Sequence, residues 1–115
     1  MTEVTFFRRG DGKCTGFRAV GHAGYAESGS DIVCAAISAL TQSAGEGIAN
    51  VVKADVSIKT DEKKGLYEVL LKDAQSKTAL DNAQILLDTL ELSLTAIQND
   101  PQYPGTIRIT TRERR

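Results

Sequence analysis

Two long stretches of this 115-residue chain carry apolar side chains at steps of three and four, and they limit what the rest can become. In 31–52, Val33, Ile37, Leu40, Ala44, Ile48 and Val51 fall on one stripe; in 76–98, Leu80, Ala83, Leu87, Leu90, Leu94 and Ile97 do the same. At 3.6 residues per turn this spacing gives a helix with one apolar side, and that side has to be covered. The second stripe mimics a short coiled coil, but at about three heptads a helix packed on a sheet is the simpler reading. Its face near Ala83, Leu87 and Leu94 could serve the core or a partner. Pro101 and Pro104 end it.

The rest of the chain alternates. Residues 2–9 and 14–21 read as strands joined by Gly10-Asp11-Gly12-Lys13, whose glycines tolerate the positive φ of a hairpin turn. Residues 55–60 and 66–72 form a second hairpin, in which Gly65 can supply a bulge after Asp61-Glu62-Lys63-Lys64. A last strand runs from Gly105 to Thr111, with Ile107 and Ile109 on one face. The order β-β-α-β-β-α-β predicts an α+β fold: a two-layer sandwich with a mixed or antiparallel sheet and both helices packed on one face. Strand order is not legible at this stage. With no repeat, low-complexity stretch or linker, 1–115 is expected to be a single domain.

Composition narrows the function classes. Hydrophobic residues at 41% and charged residues at 25% match an ordinary globular domain. A net charge of -1 and a pI near 5.8 argue against a protein built to hold phosphate backbones, so no direct nucleic-acid partner is expected. The terminal Arg112-Glu113-Arg114-Arg115 is basic but short and reads as a solvated tail. No continuous apolar run approaches the ~20 residues of a bilayer span. Residues 1–9 lack the pattern of a signal peptide, so no membrane partner is expected and the cytoplasm is the default location. In that reducing compartment Cys14 and Cys34 are free thiols.

The chemistry-bearing segment is Gly21-His22-Ala23-Gly24-Tyr25-Ala26-Glu27-Ser28-Gly29-Ser30-Asp31-Ile32-Val33-Cys34. It holds the only histidine and one of two cysteines. Asp31 is an N-cap candidate, which places Cys34 at the third helical position, beside Ser38 one turn on and at the edge of the apolar stripe. Helix-start amides carry partial positive charge, and a thiol beside them is easier to ionise. A histidine folding back onto the sulfur would complete a Cys-His pair. Taken alone, either residue has a plain structural reading, since free cysteine is among the most buried residue types and a strand-end histidine often only completes hydrogen bonds. Cys14, inside a strand, reads as core.

Rival chemistries fit less well. One histidine and two distant cysteines do not make a structural zinc site, and no metal or other cofactor is expected. Cys14 and Cys34 lack the Cys-x-x-Cys spacing of a thioredoxin-like redox pair. The glycine-bearing loop lacks the Gly-Lys-Ser/Thr of a P-loop, and Glu27 and Asp31 would repel an anion. Asp31 has two open roles, capping the helix or orienting His22, and Ser38 could line the site.

Gly21-His22-Ala23-Gly24-Tyr25-Ala26, followed by Asp31-Ile32-Val33-Cys34-Ala35-Ala36-Ile37-Ser38, closely resembles the signature of the ribosomal-processing cysteine protease family Prp, and the similarity extends over essentially the full length. The resemblance implies a cysteine endopeptidase that removes the N-terminal extension of a bacterial large-subunit ribosomal protein, number twenty-seven in the standard series. It maps the nucleophile to Cys34 and the catalytic histidine to His22, with Asp31 and Ser38 at motif positions of less secure role. It also implies a homodimer with a mobile loop, in which Gly21, Gly24 and Gly29 would be the flexible points. Two other functions stay open: a non-catalytic ribosome-associated binding domain, and a Cys-His amidase acting on small molecules.

Overall fold

The computed structural model describes residues 1–27 and 30–114, and its elements follow the expected order. They are β1 (Thr2–Arg8), β2 (Cys14–Val20), α1 (Ile32–Glu46), β3 (Val56–Asp61), β4 (Leu66–Leu71), α2 (Lys77–Gln98) and β5 (Ile107–Glu113). The strands form one five-stranded sheet in the order β3-β4-β2-β1-β5. β1 and β5 run parallel, and every other neighbour pair is antiparallel, so the sheet is mixed.

Register explains the layers. Val4 pairs with Ala19, Phe6 with Phe17, and Phe17 with Val69, so their side chains share one face of the pleat. All are buried, and they meet Val33, Ile37 and Ile48 from the first helical segment and Ala83, Leu87, Leu90 and Leu94 from α2 in one core. The Ala83–Leu94 face of α2 therefore serves the core. α1 packs on α2 and β4, and α2 packs on β2 and β5, which puts both helices on the same side. The opposite sheet face is polar, with Arg18 beside Glu68, Arg108 beside Glu3, and Thr5 beside Thr110. α2 is tied to the sheet by polar contacts as well. The Gln84 side-chain amide accepts from the Cys14 N–H and donates to its carbonyl, both at 2.7 Å, and Arg8 reaches Glu91 at 3.1 Å.

Three local expectations change. The helix expected over 31–52 keeps α geometry only to Glu46, and a π-helical turn covers Gly47–Val51. There the Val52 N–H donates to the Gly47 carbonyl at 2.8 Å, an i→i+5 bond that widens the turn. The added residue per turn shifts the phase, so Ile48 stays buried while Val51 is 79% exposed instead of continuing the stripe. The last strand is displaced to Ile107–Glu113 because it pairs residue for residue with β1, from Thr2 to Arg8. The basic end is consequently structural: the Arg114 N–H donates to the Arg8 carbonyl at 2.8 Å and its guanidinium to the Thr15 carbonyl at 3.0 Å.

The span Ile32–Val51 has a mean hydropathy of 1.3 and length enough to cross a bilayer, although no unbroken apolar run is present. Its apolar stripe is used here against the sheet and α2.

Candidate active site

β2 is the middle strand, and the chain leaves it at Gly21 to reach the start of α1. Antiparallel pairing brings the β3–β4 turn to this end of the sheet, and the parallel β1–β5 pair brings the start of β1. The His22 segment is therefore pinned from several sides. The Gly21 N–H donates to the Lys64 carbonyl at 3.0 Å, and the Ala23 methyl is buried in the core. The Tyr25 ring meets Tyr103 edge-on, with centroids 5.4 Å apart. Gly21 and Gly24 bracket His22 with φ of +97° and +72°, a backbone that a Cβ would strain. Gly29, the third expected flexible glycine, lies outside the described residues, as does Ser28.

Asp31 joins this loop to the helix. One carboxylate oxygen accepts from the Val33 and Cys34 amides, both at 2.9 Å. The other accepts from Tyr25 at 2.9 Å and Ala26 at 3.1 Å. The side chain is only 7% exposed. The Cys34 amide foremost, with those of Ala26, Tyr25 and Val33, holds the carboxyl below its ordinary range, against a desolvation that pushes the other way. Of the two roles expected for Asp31, capping is seen directly. The hold on the His22 loop is made through backbone amides, so Asp31 positions the loop rather than touching the imidazole.

Cys34 occupies the third residue of α1, as the Asp31 cap implies. It is half-buried, and its sulfur accepts the Ala23 N–H at 3.1 Å. Two cavities flank it. One of about 490 Å³ is lined by His22, Cys34, Ser38, Thr41, Gln42, Asp61, Glu62 and Tyr67, among others. A second of about 380 Å³ is lined by His22, Gly24, Ala26, Asp31, Cys34, Ala35 and Ser38. His22, Cys34 and Ser38 border both, so the sequence-derived residues converge at the junction of two hollows. Cys14 is far from this arrangement in role: it is fully buried, and burial pushes its thiol up.

The residues that sequence reasoning missed come from the β3–β4 turn. A Cβ on Gly65 would stand 2.5 Å from the Gly21 carbonyl oxygen and 3.1 Å from His22 Cε1, and its φ is +61°. Gly65 is thus the surface on which the histidine rests. Its sequence signal, a glycine after a charged turn, pointed only to a bulge. Asp61, Glu62 and Tyr67 had no local signal at all, because strand order decides that this turn faces His22.

The chain is similar throughout to known proteins. The family model for cysteine protease Prp matches residues 1–108. The ribosomal processing cysteine protease Prp of Bacillus subtilis strain 168 is 28% identical over 111 residues, covering 96% of this chain and 97% of that protein. The protein of the same name from Staphylococcus aureus strain Mu50 is 31% identical over 109 residues, covering 95% and 97%. A crystal structure of the ribosomal processing protease Prp from S. aureus, in complex with a covalently linked product peptide, superposes with a TM-score of 0.83 at 29% identity, covering 97% of this chain and all of that one. Sequence, fold and length agree, and the chain belongs to the cysteine protease Prp family.

Proposed function

We propose that this protein is the endopeptidase that removes the N-terminal extension of large-subunit ribosomal protein twenty-seven, with Cys34 as nucleophile and His22 as general base and acid. The observation that carries the reading is the convergence of His22 and Cys34 on both cavities, so that a peptide crossing from one hollow to the other passes over the sulfur. The relative from S. aureus adds support, because its product peptide is covalently linked.

In this mechanism His22 takes the Cys34 thiol proton, and the sulfur bonds to the scissile carbonyl carbon as the carbonyl π pair moves to oxygen. When that pair returns, the C–N bond breaks and His22 gives its proton to the leaving amine. Water, deprotonated by His22, then attacks the thioester; the C–S bond breaks, and the proton returns to sulfur. Ser38 borders the path of the peptide, and Asp31 positions the loop that carries His22. Two unpaired thiols suit a reducing cytoplasm. Exposed Ile85 and Leu92, two turns apart on α2, supply an apolar surface for a homodimer, and sedimentation of the protein as a monomer would remove that part of the reading.

The test is incubation with the extended ribosomal protein and mass analysis of the products. Wild type is expected to release the extension, whereas Cys34→Ala and His22→Ala lose about 10³-fold or more in kcat/KM. Cleavage that survives Cys34→Ala would overturn the nucleophile, and an inert wild type would overturn the substrate.

A further inference from the structure

A cysteine near a helix start suggests that the amides of that first turn stabilise the oxyanion, but here they are already engaged. The Val33 and Cys34 N–H groups donate to the Asp31 carboxylate at 2.9 Å, and the Ala35 N–H donates to the Asp31 carbonyl at 3.1 Å. Redirecting any of them would cost the cap that holds the helix start and the loop together. One backbone amide does face the reacting sulfur, and it comes from the other side of the site. The Ala23 N–H lies 3.1 Å from Cys34 Sγ, on the residue that follows His22.

We propose that the Ala23 N–H is the oxyanion donor of this enzyme, so that one loop supplies both the proton carrier and the electrostatic stabiliser. This rests on the cysteine protease reading of Cys34. As the sulfur bonds to the carbonyl carbon, negative charge passes from sulfur to the oxygen on that same carbon, one bond further on. A donor already aimed at the sulfur is the nearest group to meet it. The amide is preorganised on both sides: Gly21 is held to Lys64, Tyr25 and Ala26 are held to Asp31, and the Ala23 side chain is 2% exposed. A donor fixed in this way needs no reorganisation as charge develops, which is the condition for strong transition-state stabilisation. It also assigns the two left-handed glycines a role in catalysis, because the turns at Gly21 and Gly24 aim the peptide plane between them at the sulfur.

The test replaces the Ala23 amide by an ester, placing lactic acid at position 23 in a synthetic 1–33 segment joined at Cys34 to the remainder by native chemical ligation. The all-amide protein made by the same route is the reference, and an ester at Ala26, whose amide serves only Asp31, is the control. Three readings are compared: cleavage of the extended substrate, affinity for a peptide aldehyde, and alkylation of Cys34 by iodoacetamide. The aldehyde adds the thiol across its C=O bond, forming an S–C bond and a tetrahedral oxygen, whereas alkylation forms an S–C bond with iodide leaving and builds no oxyanion. The expected result is a loss of about 10²–10³-fold in kcat and a comparable loss in aldehyde affinity for the Ala23 ester, with alkylation within about threefold of the reference. Unchanged kcat and aldehyde affinity would overturn the proposal. A parallel fall in all three, or an equal loss from the Ala26 ester, would also overturn it, by making the amide a structural tie. If the reference protein leaves the substrate intact yet adds to the aldehyde, the substrate reading fails and the aldehyde comparison decides the donor. If it does neither, both fail.

Discussion

At the scale of single residues, the two cysteines show how environment separates identical side chains. Cys14 is sealed under α2, its thiol pushed up by burial, while Cys34 opens onto two cavities. Iodoacetamide is therefore expected to modify Cys34 at least about 10³-fold faster, since Cys14 reacts only when the core opens. Peptide mapping checks this, and equal rates would contradict the assignment. Asp31 gives a second case. Asp31→Asn keeps one acceptor oxygen for the Val33 and Cys34 amides but sets an NH₂ group against the Tyr25 and Ala26 amides. The helix start is expected to survive while the His22 loop loosens, lowering kcat/KM by about 10²-fold, and amide exchange at residues 25 and 26 reports the loosening directly. The pH dependence has a definite sign. The folded-state carboxyl is held below its unfolded value near 4, so its contribution to stability is complete above about pH 4 and is lost as pH falls toward the folded value. Urea midpoints of the wild type should fall through that acid window, and Asp31→Asn should fall less.

At the scale of elements, α1 shows what periodicity reveals and where it stops. The spacing of Val33, Ile37, Ala44 and Ile48 announces the helix and its buried side, and Asp31 announces its start. The π-helical turn had no such signal, because it depends on what α1 packs against. Gly45 lies under the Tyr67 side chain of β4, where a methyl group would overlap the hydroxyl. Gly45→Ala is expected to destabilise the protein by about 1–3 kcal/mol through overpacking. Tyr67→Phe removes the hydroxyl and should recover part of that loss in the double variant. Melting of the four proteins of this cycle tests the contact, and strictly additive effects would show that the two residues do not meet.

At the scale of the whole molecule, the site exists because separate segments end at one place: the start of β1, the end of β2, the β3–β4 turn and the cap of α1. Gly65→Ala tests this convergence, since it is remote from Cys34 in sequence yet would press on the Gly21 carbonyl and the His22 ring. Activity is expected to drop more than about tenfold while the far-ultraviolet spectrum shows the sheet intact; full activity would mean that His22 does not depend on that surface. By itself the sequence determined the element order, the two buried helix stripes, the cap at Asp31 and the His22 and Cys34 candidates, because each is written in local spacing, in residue type or in an unbroken motif. Tertiary structure alone decided the strand order, the displaced last strand, the phase shift at Val51 and the acidic turn beside His22. It also decided that the helix-start amides serve Asp31 while the Ala23 amide faces the sulfur. Those features depend on which distant segments become neighbours, and pairing across a sheet leaves no mark in the local pattern of the strands that make it.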